Sequence, residues 1–301
     1  MNTIAHRRSA VVSAKQHRPG TVPAKLGRYS IEREIGRGAM AVVYLGRDPQ
    51  INREVAIKAL PLAREFSTEE LDEARRRFFR EAESAGRLNH PGIVTVFDAG
   101  EDQGLAYIAM EFLTGQPLNE FTDSSTLLPP SVVADLIARV ADALAHAHRL
   151  NVVHRDIKPA NIVYDSEIDG LKITDFGIAR LTDSGTTKTG IVLGTPSFMS
   201  PEQLEGRGVA GASDLFSLGV SLYQLLCGQL PFRADSMTGL MFKIANEPAP
   251  PLRSVRPDLP GLLEAILNRA MQKRTDERFQ TGAEMAAALR NCSRLLQAQG
   301  L

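Results

Sequence analysis

The apolar residues of this chain change their spacing partway along it, and that change limits the possible folds more than any other feature. Short strand-like runs over residues 29–35, 42–47 and 54–60, separated by Gly-rich or Asp-Pro turns, predict a small antiparallel sheet. Ser67-Thr68-Glu69-Glu70 then offers a capping box, with Glu70 three residues after Ser67, and the charged segment through Gly86 reads as a helix. Two more strand-like runs follow at 93–97 and 106–111. Five strands and one helix are too few elements for a parallel α/β domain. From Pro130 the pattern turns helical, because Val133, Leu136, Ile137, Val140, Leu144 and His148 fall on one stripe. Ser213 reads as the cap of a helix over 214–227 that ends at Gly228. Leu262, Leu263, Ile266, Leu267, Ala270 and Met271 line another helix, and Thr281 with Glu284 repeats the capping box before a last helix through Leu296. The fold class is therefore α+β: a small antiparallel β-sheet lobe with one long helix, then a larger, mainly helical lobe, with a cleft near residues 111–116.

With 301 residues, 43% of them hydrophobic, the chain can bury a core large enough for one two-lobed domain. Lys+Arg and Asp+Glu are both 35, so no overall field favours nucleic acid or an anionic membrane. The basic residues are unevenly placed: residues 1–28 hold Arg7, Arg8, Lys15, Arg18, Lys25 and Arg28 and no acid, and read as a solvated, disordered tail ahead of a domain over 29–296. The lobes divide at about residue 111. Cys227 and Cys292 show neither metal-ligand spacing nor a disulfide framework and read as core thiols of a reducing cytoplasm. No stretch approaches the ~18 apolar residues of a membrane span, and Ala10-Val11-Val12 is too short for the apolar region of a signal peptide, so the chain reads as soluble and cytoplasmic.

Chemistry concentrates in a few places. Ile35-Gly36-Arg37-Gly38-Ala39-Met40-Ala41-Val42-Val43 joins the first two strands, and its glycines let a hairpin close over a polyphosphate. In Val55-Ala56-Ile57-Lys58, alternation turns Ala56 and Lys58 to one face, and a lysine among strand hydrophobics calls for an anionic partner. Glu81, on the following helix, is a candidate to orient it. His154-Arg155-Asp156-Ile157-Lys158-Pro159-Ala160-Asn161 is more specific, combining carboxyl and amide oxygens with cations in one loop. Asp175-Phe176-Gly177 adds a carboxylate after a strand over 171–174. Phosphoryl transfer needs such a set: an acceptor for the hydroxyl proton, oxygens for a hard cation, and positive charge for the phosphate.

These motifs, with Ser200-Pro201-Glu202, stand in the order and spacing of the protein-kinase superfamily, and residues 29 to about 296 resemble most closely the bacterial eukaryotic-like (Hanks-type) serine/threonine kinases. The resemblance implies the two-lobed kinase fold and transfer of the γ-phosphate of ATP to protein Ser or Thr. Asp156 would accept or orient the substrate proton, and Lys158 would neutralise phosphate charge. Asn161 and Asp175 would bind Mg²⁺, with Mn²⁺ as a substitute. Lys58, held by Glu81, would grip the α- and β-phosphates beneath Gly36 and Gly38. Adenine would lie between Ile35, Val43, Ala56 and Val163, bonded to the backbone of Glu111 and Leu113, with Met110 as gatekeeper. Lys158 and Gly194-Thr195 indicate Ser/Thr rather than Tyr specificity. Glu202 would pair with Arg278, and Asp214 would anchor the catalytic loop.

The third loop glycine is replaced by Ala41, where any φ > 0 would be strained. A pseudokinase is disfavoured because Lys58, Asp156 and Asp175 all stand, and a small-molecule phosphotransferase is disfavoured by the full segment from Asp175 to Glu202. That segment holds Thr187 and Thr189, expected sites of autophosphorylation by another copy of the chain. Arg155 and Arg180 are the cations expected to receive the phosphate.

Overall fold

The computed structural model describes residues 22–38, 41–176 and 196–301. The small lobe is a six-stranded antiparallel sheet in the order β1-β2-β3-β4-β6-β5, formed by β1 Lys25–Leu26, β2 Tyr29–Arg37, β3 Val42–Asp48, β4 Arg53–Leu60, β5 Val96–Asp102 and β6 Leu105–Glu111. Strand alternation sorts its side chains onto two faces. Val55, Ile57, Ala59, Tyr107 and Ala109 join Tyr29 and Tyr44 on one face. Ala56, Leu60, Ile108 and Met110 meet Ala74, Phe78 and Ala82 of helix α2 (Thr68–Gly86) on the other. Between β4 and α2 lies a short helix, α1 (Leu62–Glu65). The capping box at the start of α2 forms as expected: Glu70 N–H donates to Ser67 Oγ (3.3 Å), and the Glu70 carboxylate accepts from Ser67 N–H (3.0 Å).

The large lobe is built around α3 (Pro130–Arg149) and α5 (Gly211–Cys227), with α9 (Gly282–Ala298) along α3 and α8 (Gly261–Ala270) against α5. The stripe read in the sequence is the buried face of α3. Most of α5 is buried, with the run from Ser213 to Tyr223 unbroken, as befits a central helix of the core. Shorter helices α4 (Pro201–Leu204), α6 (Met237–Asn246) and α7 (Leu252–Val255) complete the lobe, α4 against α6 and α7 against α5 and α8. A three-stranded sheet, β7 (Gln116–Pro117), β8 (Ile162–Asp165) and β9 (Gly170–Ile173), sits at the cleft. Among the described residues, no helix is long and apolar enough to cross a membrane.

Four details differ from the sequence expectations. The sheet begins before residue 29, since β1 pairs with β2 and Leu26 is fully buried; residues 1–21 of the expected tail lie outside the described residues. The strand expected at 93–97 is displaced to Val96–Asp102. Ile93 and Val94 instead fasten the small lobe to β9, with Val94 N–H donating to Ile173 O and Ile173 N–H to Gly92 O, both 2.9 Å. Ser213 is not the cap of α5 but its third residue, accepting from Ala210 N–H (3.3 Å). Thr281 does cap α9, but the Glu284 carboxylate reaches Gln280 N–H (3.1 Å), so the second half of that box closes on the preceding residue. Gly228 ends α5 at φ 68°, as expected of a C-cap glycine. Burial pushes both thiols, Cys227 and Cys292, up to about 11, which keeps them protonated and inert.

Candidate active site

The lower half of the cleft is a loop held by its backbone. Asp214, buried in the first turn of α5, accepts from the N–H groups of His154 (2.8 Å) and Arg155 (2.7 Å) and bonds the His148 Nε2 (2.8 Å). The anchoring role expected of Asp214 is thus met. Those bonds hold Arg155 at φ 71°, an uncommon conformation for a side-chain-bearing residue that persists only where its surroundings over-determine it. His154 is fully buried; its Nδ1 accepts from Asp156 N–H (3.2 Å), so Nε2 carries the proton it donates to Thr174 O (2.7 Å). The loop therefore grips the residue just ahead of Asp175.

Asp156 emerges from this scaffold with its carboxylate held by Lys158 Nζ at 2.8 and 3.0 Å, and by Asn161 Nδ2 at 3.0 Å. Asn161 Nδ2 also donates to Asp156 O (2.8 Å), so both amide hydrogens are committed and the side-chain oxygen is what Asn161 can offer a cation. Asp175, at φ 65°, forms an ion pair with Lys58 Nζ at 2.9 Å. Burial alone would push the Asp175 carboxyl up, but the charge and hydrogen bond of Lys58, aided by Lys158, hold it below the usual carboxylate range. Phe176 is buried edge-on against His154 at 4.6 Å. With Ala85, Ile93, Val94, Val96, Ile108, Met110 and Asp175 it lines a small, mostly apolar pocket.

The upper half is apolar. Ile35, Ala41, Val43, Ala56, Met110 and Leu113 belong to one apolar cluster. Lys58 shares the face of Ala56 on β4, and Glu81 is buried on α2. Among the described residues, the ion pair made by Lys58 is the one to Asp175. Val163, half-buried on β8, pairs with Pro117 and Lys172. In the Gly-rich hairpin, Gly38 N–H donates to Ala41 O (2.8 Å), and the exposed Arg37 pairs with Glu34. Gly36 faces Val43 with ordinary clearance. Ala41 is not among the described residues with positive φ, so the feared strain is absent there. Ala39 and Met40, and likewise Gly177, Arg180, Thr187, Thr189 and Thr195, lie outside the described residues.

Glu202 and Arg278 pair as expected, by two bonds of 2.8 Å. All five guanidinium hydrogens of Arg278 are used, the other three on the carbonyls of Gln272, Ala212 and Lys273. Burial acts to raise the Glu202 carboxyl, but Arg278 and Ser213 Oγ (2.6 Å) outweigh it and bring it down to about 2.

Sequence reasoning missed three participants. His148 was legible as part of the α3 stripe, but its bond to Asp214 depends on tertiary packing. The Glu111 side chain points away from an adenine role, to Lys172 Nζ (2.7 Å), while Glu111 N–H donates to Thr95 O (2.9 Å). Gln203 joins α4 to the catalytic loop through Arg155 O (2.8 Å).

The sequence matches the family model described as the protein kinase domain over residues 29–284. The chain is 40% identical over 265 residues to the serine/threonine-protein kinase PrkC of Bacillus subtilis, covering 88% of this chain and 40% of that protein. It is likewise 40% identical over 280 residues to the serine/threonine-protein kinase PknB of Mycolicibacterium smegmatis, covering 89% of this chain and 44% of the relative. The chain thus spans less than half the length of these curated relatives. Among solved structures, the Mycobacterium tuberculosis PknI kinase domain superposes with a TM-score of 0.73 at 31% identity, covering 90% of this chain and 99% of that one. The wiring of Asp214, His154 and Asp156, the Glu202–Arg278 pair and this match agree: the chain belongs to the protein kinase family, in the bacterial Hanks-type serine/threonine group.

Proposed function

We propose that this domain is a serine/threonine kinase that transfers the γ-phosphate of ATP to hydroxyls of protein substrates. The observation that carries the reading is the placement of Asp156: a carboxylate steered by Lys158 and Asn161, on a loop pinned by Asp214. Asp156 Oδ1 accepts from Lys158 alone among the described residues, which leaves it able to take the substrate hydroxyl's proton as that oxygen bonds to the γ-phosphorus and the bond to ADP breaks. Lys158 stays beside the transferred group and offsets its charge. Lys58 would move its charge from Asp175 to the α- and β-phosphates, with Glu81 orienting it.

The residues fit a hard divalent cation. Asp175 is kept ionised, and Asn161 has only its oxygen to offer. Among the described residues no group of three or more His, Cys, Asp or Glu converges, so the protein supplies few ligands, as suits Mg²⁺, which keeps waters and substrate phosphates in its shell. Bound there, Mg²⁺ or Mn²⁺ would neutralise phosphate charge. Adenine is assigned to Ile35, Val43, Ala56 and Val163 with Met110 behind it. Since the Glu111 N–H is committed, the polar contacts at the edge fall to the Glu111 carbonyl and the Leu113 N–H. Lys158 and Thr195 support Ser/Thr specificity, and Thr187 and Thr189 are proposed as sites of activating autophosphorylation between copies.

The test is transfer of labelled γ-phosphate to the chain itself and to a generic protein, followed by phosphoamino-acid analysis. The expected result is phosphoserine and phosphothreonine from the wild type and a loss of about 10²–10⁴-fold in Asp156→Asn. Nucleotide binding without transfer under any metal or substrate tried would instead make the chain a binding module. Mass spectrometry should find phosphate on Thr187 or Thr189, and full activity of the double alanine variant would remove both from the switch.

A further inference from the structure

The amide of Gln203 performs two tasks at once. Its oxygen accepts from both Ser200 N–H and Ser200 Oγ–H, each at 3.0 Å, which closes the start of α4. Its nitrogen donates to Arg155 O at 2.8 Å, forty-eight residues away in the chain. That carbonyl belongs to the peptide unit joining Arg155 to Asp156, whose N–H end donates to His154 Nδ1. One peptide plane is thus held at both ends, by Gln203 at its oxygen and His154 at its nitrogen, directly beside the proposed base. The plane needs holding, because Arg155 sits at φ 71°, a conformation that costs on the order of 1–3 kcal/mol unless its surroundings enforce it. Asp214 secures the preceding N–H groups but does not touch this carbonyl.

We infer that Gln203 is a positioning residue for Asp156, tying the catalytic loop to the stretch from Pro196 to Ser200 that follows Thr195. The inference rests on the kinase reading above. Its chemistry requires a side chain that accepts toward Ser200 and donates toward Arg155. Glutamine does both. A carboxylate does only the first, and it sets an anionic oxygen against the Arg155 carbonyl. Because Glu and Gln serve equally at the third position of a capping box, Gln203→Glu separates the two tasks: the cap survives and the link does not. Reorienting the peptide would shift the Asp156 carboxylate from its place, and misplacements of about 1 Å can cost on the order of 10²-fold in rate. Nucleotide is gripped elsewhere, so its KM should not follow.

The experiment compares wild type, Gln203→Glu and Gln203→Met by steady-state kinetics, thermal unfolding and pH profile. For Gln203→Glu the expected result is a kcat about ten- to a hundredfold lower, KM for ATP within about twofold, and an unchanged melting temperature. As pH falls toward the range where the introduced carboxyl protonates and regains a donor, its kcat relative to wild type should recover. Gln203→Met should lose kcat without any such recovery and melt earlier. Wild-type kcat in Gln203→Glu overturns the inference. So does a loss in both variants that merely follows the fraction folded, which would leave the residue a cap. An inactive wild type would overturn the kinase reading instead, so the two failures are distinguishable.

Discussion

The two halves of the cleft are built on different terms. Below, the loop from His154 to Asn161 is wired into the core: Asp214, His148, His154 and Gln203 bond its backbone or one another, and Lys158 and Asn161 steer the Asp156 carboxylate. Above, the Gly-rich hairpin is held by the β2–β3 ladder, which pairs Gly36 with Val43 and Arg37 with Val42, by the bond from Gly38 N–H to Ala41 O, and by an exposed ion pair between Arg37 and Glu34. Exposed pairs of that kind contribute little. The difference teaches a division of labour. On the proposed reading, the part that places a proton acceptor is set by buried polar bonds, each costly to leave unmade, whereas the part that would cover polyphosphate would be completed by the ligand.

The sharpest way to break this comparison is to cut the lower anchor. Asp214→Ala leaves two backbone N–H groups and a histidine without their buried acceptor, and should cost about 3 kcal/mol or more in stability and at least about tenfold in kcat. Denaturant unfolding and kinetics check both; a variant of wild-type stability would show the anchor to be dispensable. Next comes acid. Glu202 falls from its ordinary 4.5 to about 2 on folding, so its contribution is complete above pH 4.5 and is lost as pH drops through about 2. At a shift of that size the contribution is up to about 3 kcal/mol, and Glu202→Gln should flatten the acid limb of the stability curve over that window. An acid limb identical to wild type would contradict the pairing with Arg278 as its cause. The smallest effect belongs to the upper half, where Ala41→Gly should change nucleotide affinity or turnover within about tenfold, because Ala41 already sits without backbone strain. A large loss there would show that the alanine methyl, packed with Ile35 and Val43, shapes the nucleotide shelf.

Much of this was legible in the sequence, and the omissions share a cause. Strand alternation placed Ala56 and Lys58 on one face, and the 3.6-residue stripe identified the buried side of α3, because both are local consequences of backbone geometry. The strand at 93–97 was misplaced because its apolar residues serve the junction between lobes, while the true edge strand carries Asp98, Glu101 and Asp102 and lacks a continuous apolar face. Ser213 looked like a cap because serine before a helical run usually is one, but the helix begins two residues earlier and turns its hydroxyl to Glu202. Gln203, His148 and the Glu111–Lys172 pair were invisible for a simpler reason: their partners lie 48, 66 and 61 residues away. No local pattern announces such a bond.

The most direct test of the account is hydrogen exchange of the amides with and without a Mg²⁺-bound, non-hydrolysable ATP analogue. The N–H groups of His154, Arg155 and Asp156 should be strongly protected before the nucleotide is added and change little afterwards, while those of residues 36–43 should gain protection on binding. Catalytic-loop amides that exchange freely until nucleotide arrives, or a Gly-rich hairpin indifferent to the analogue, would contradict it.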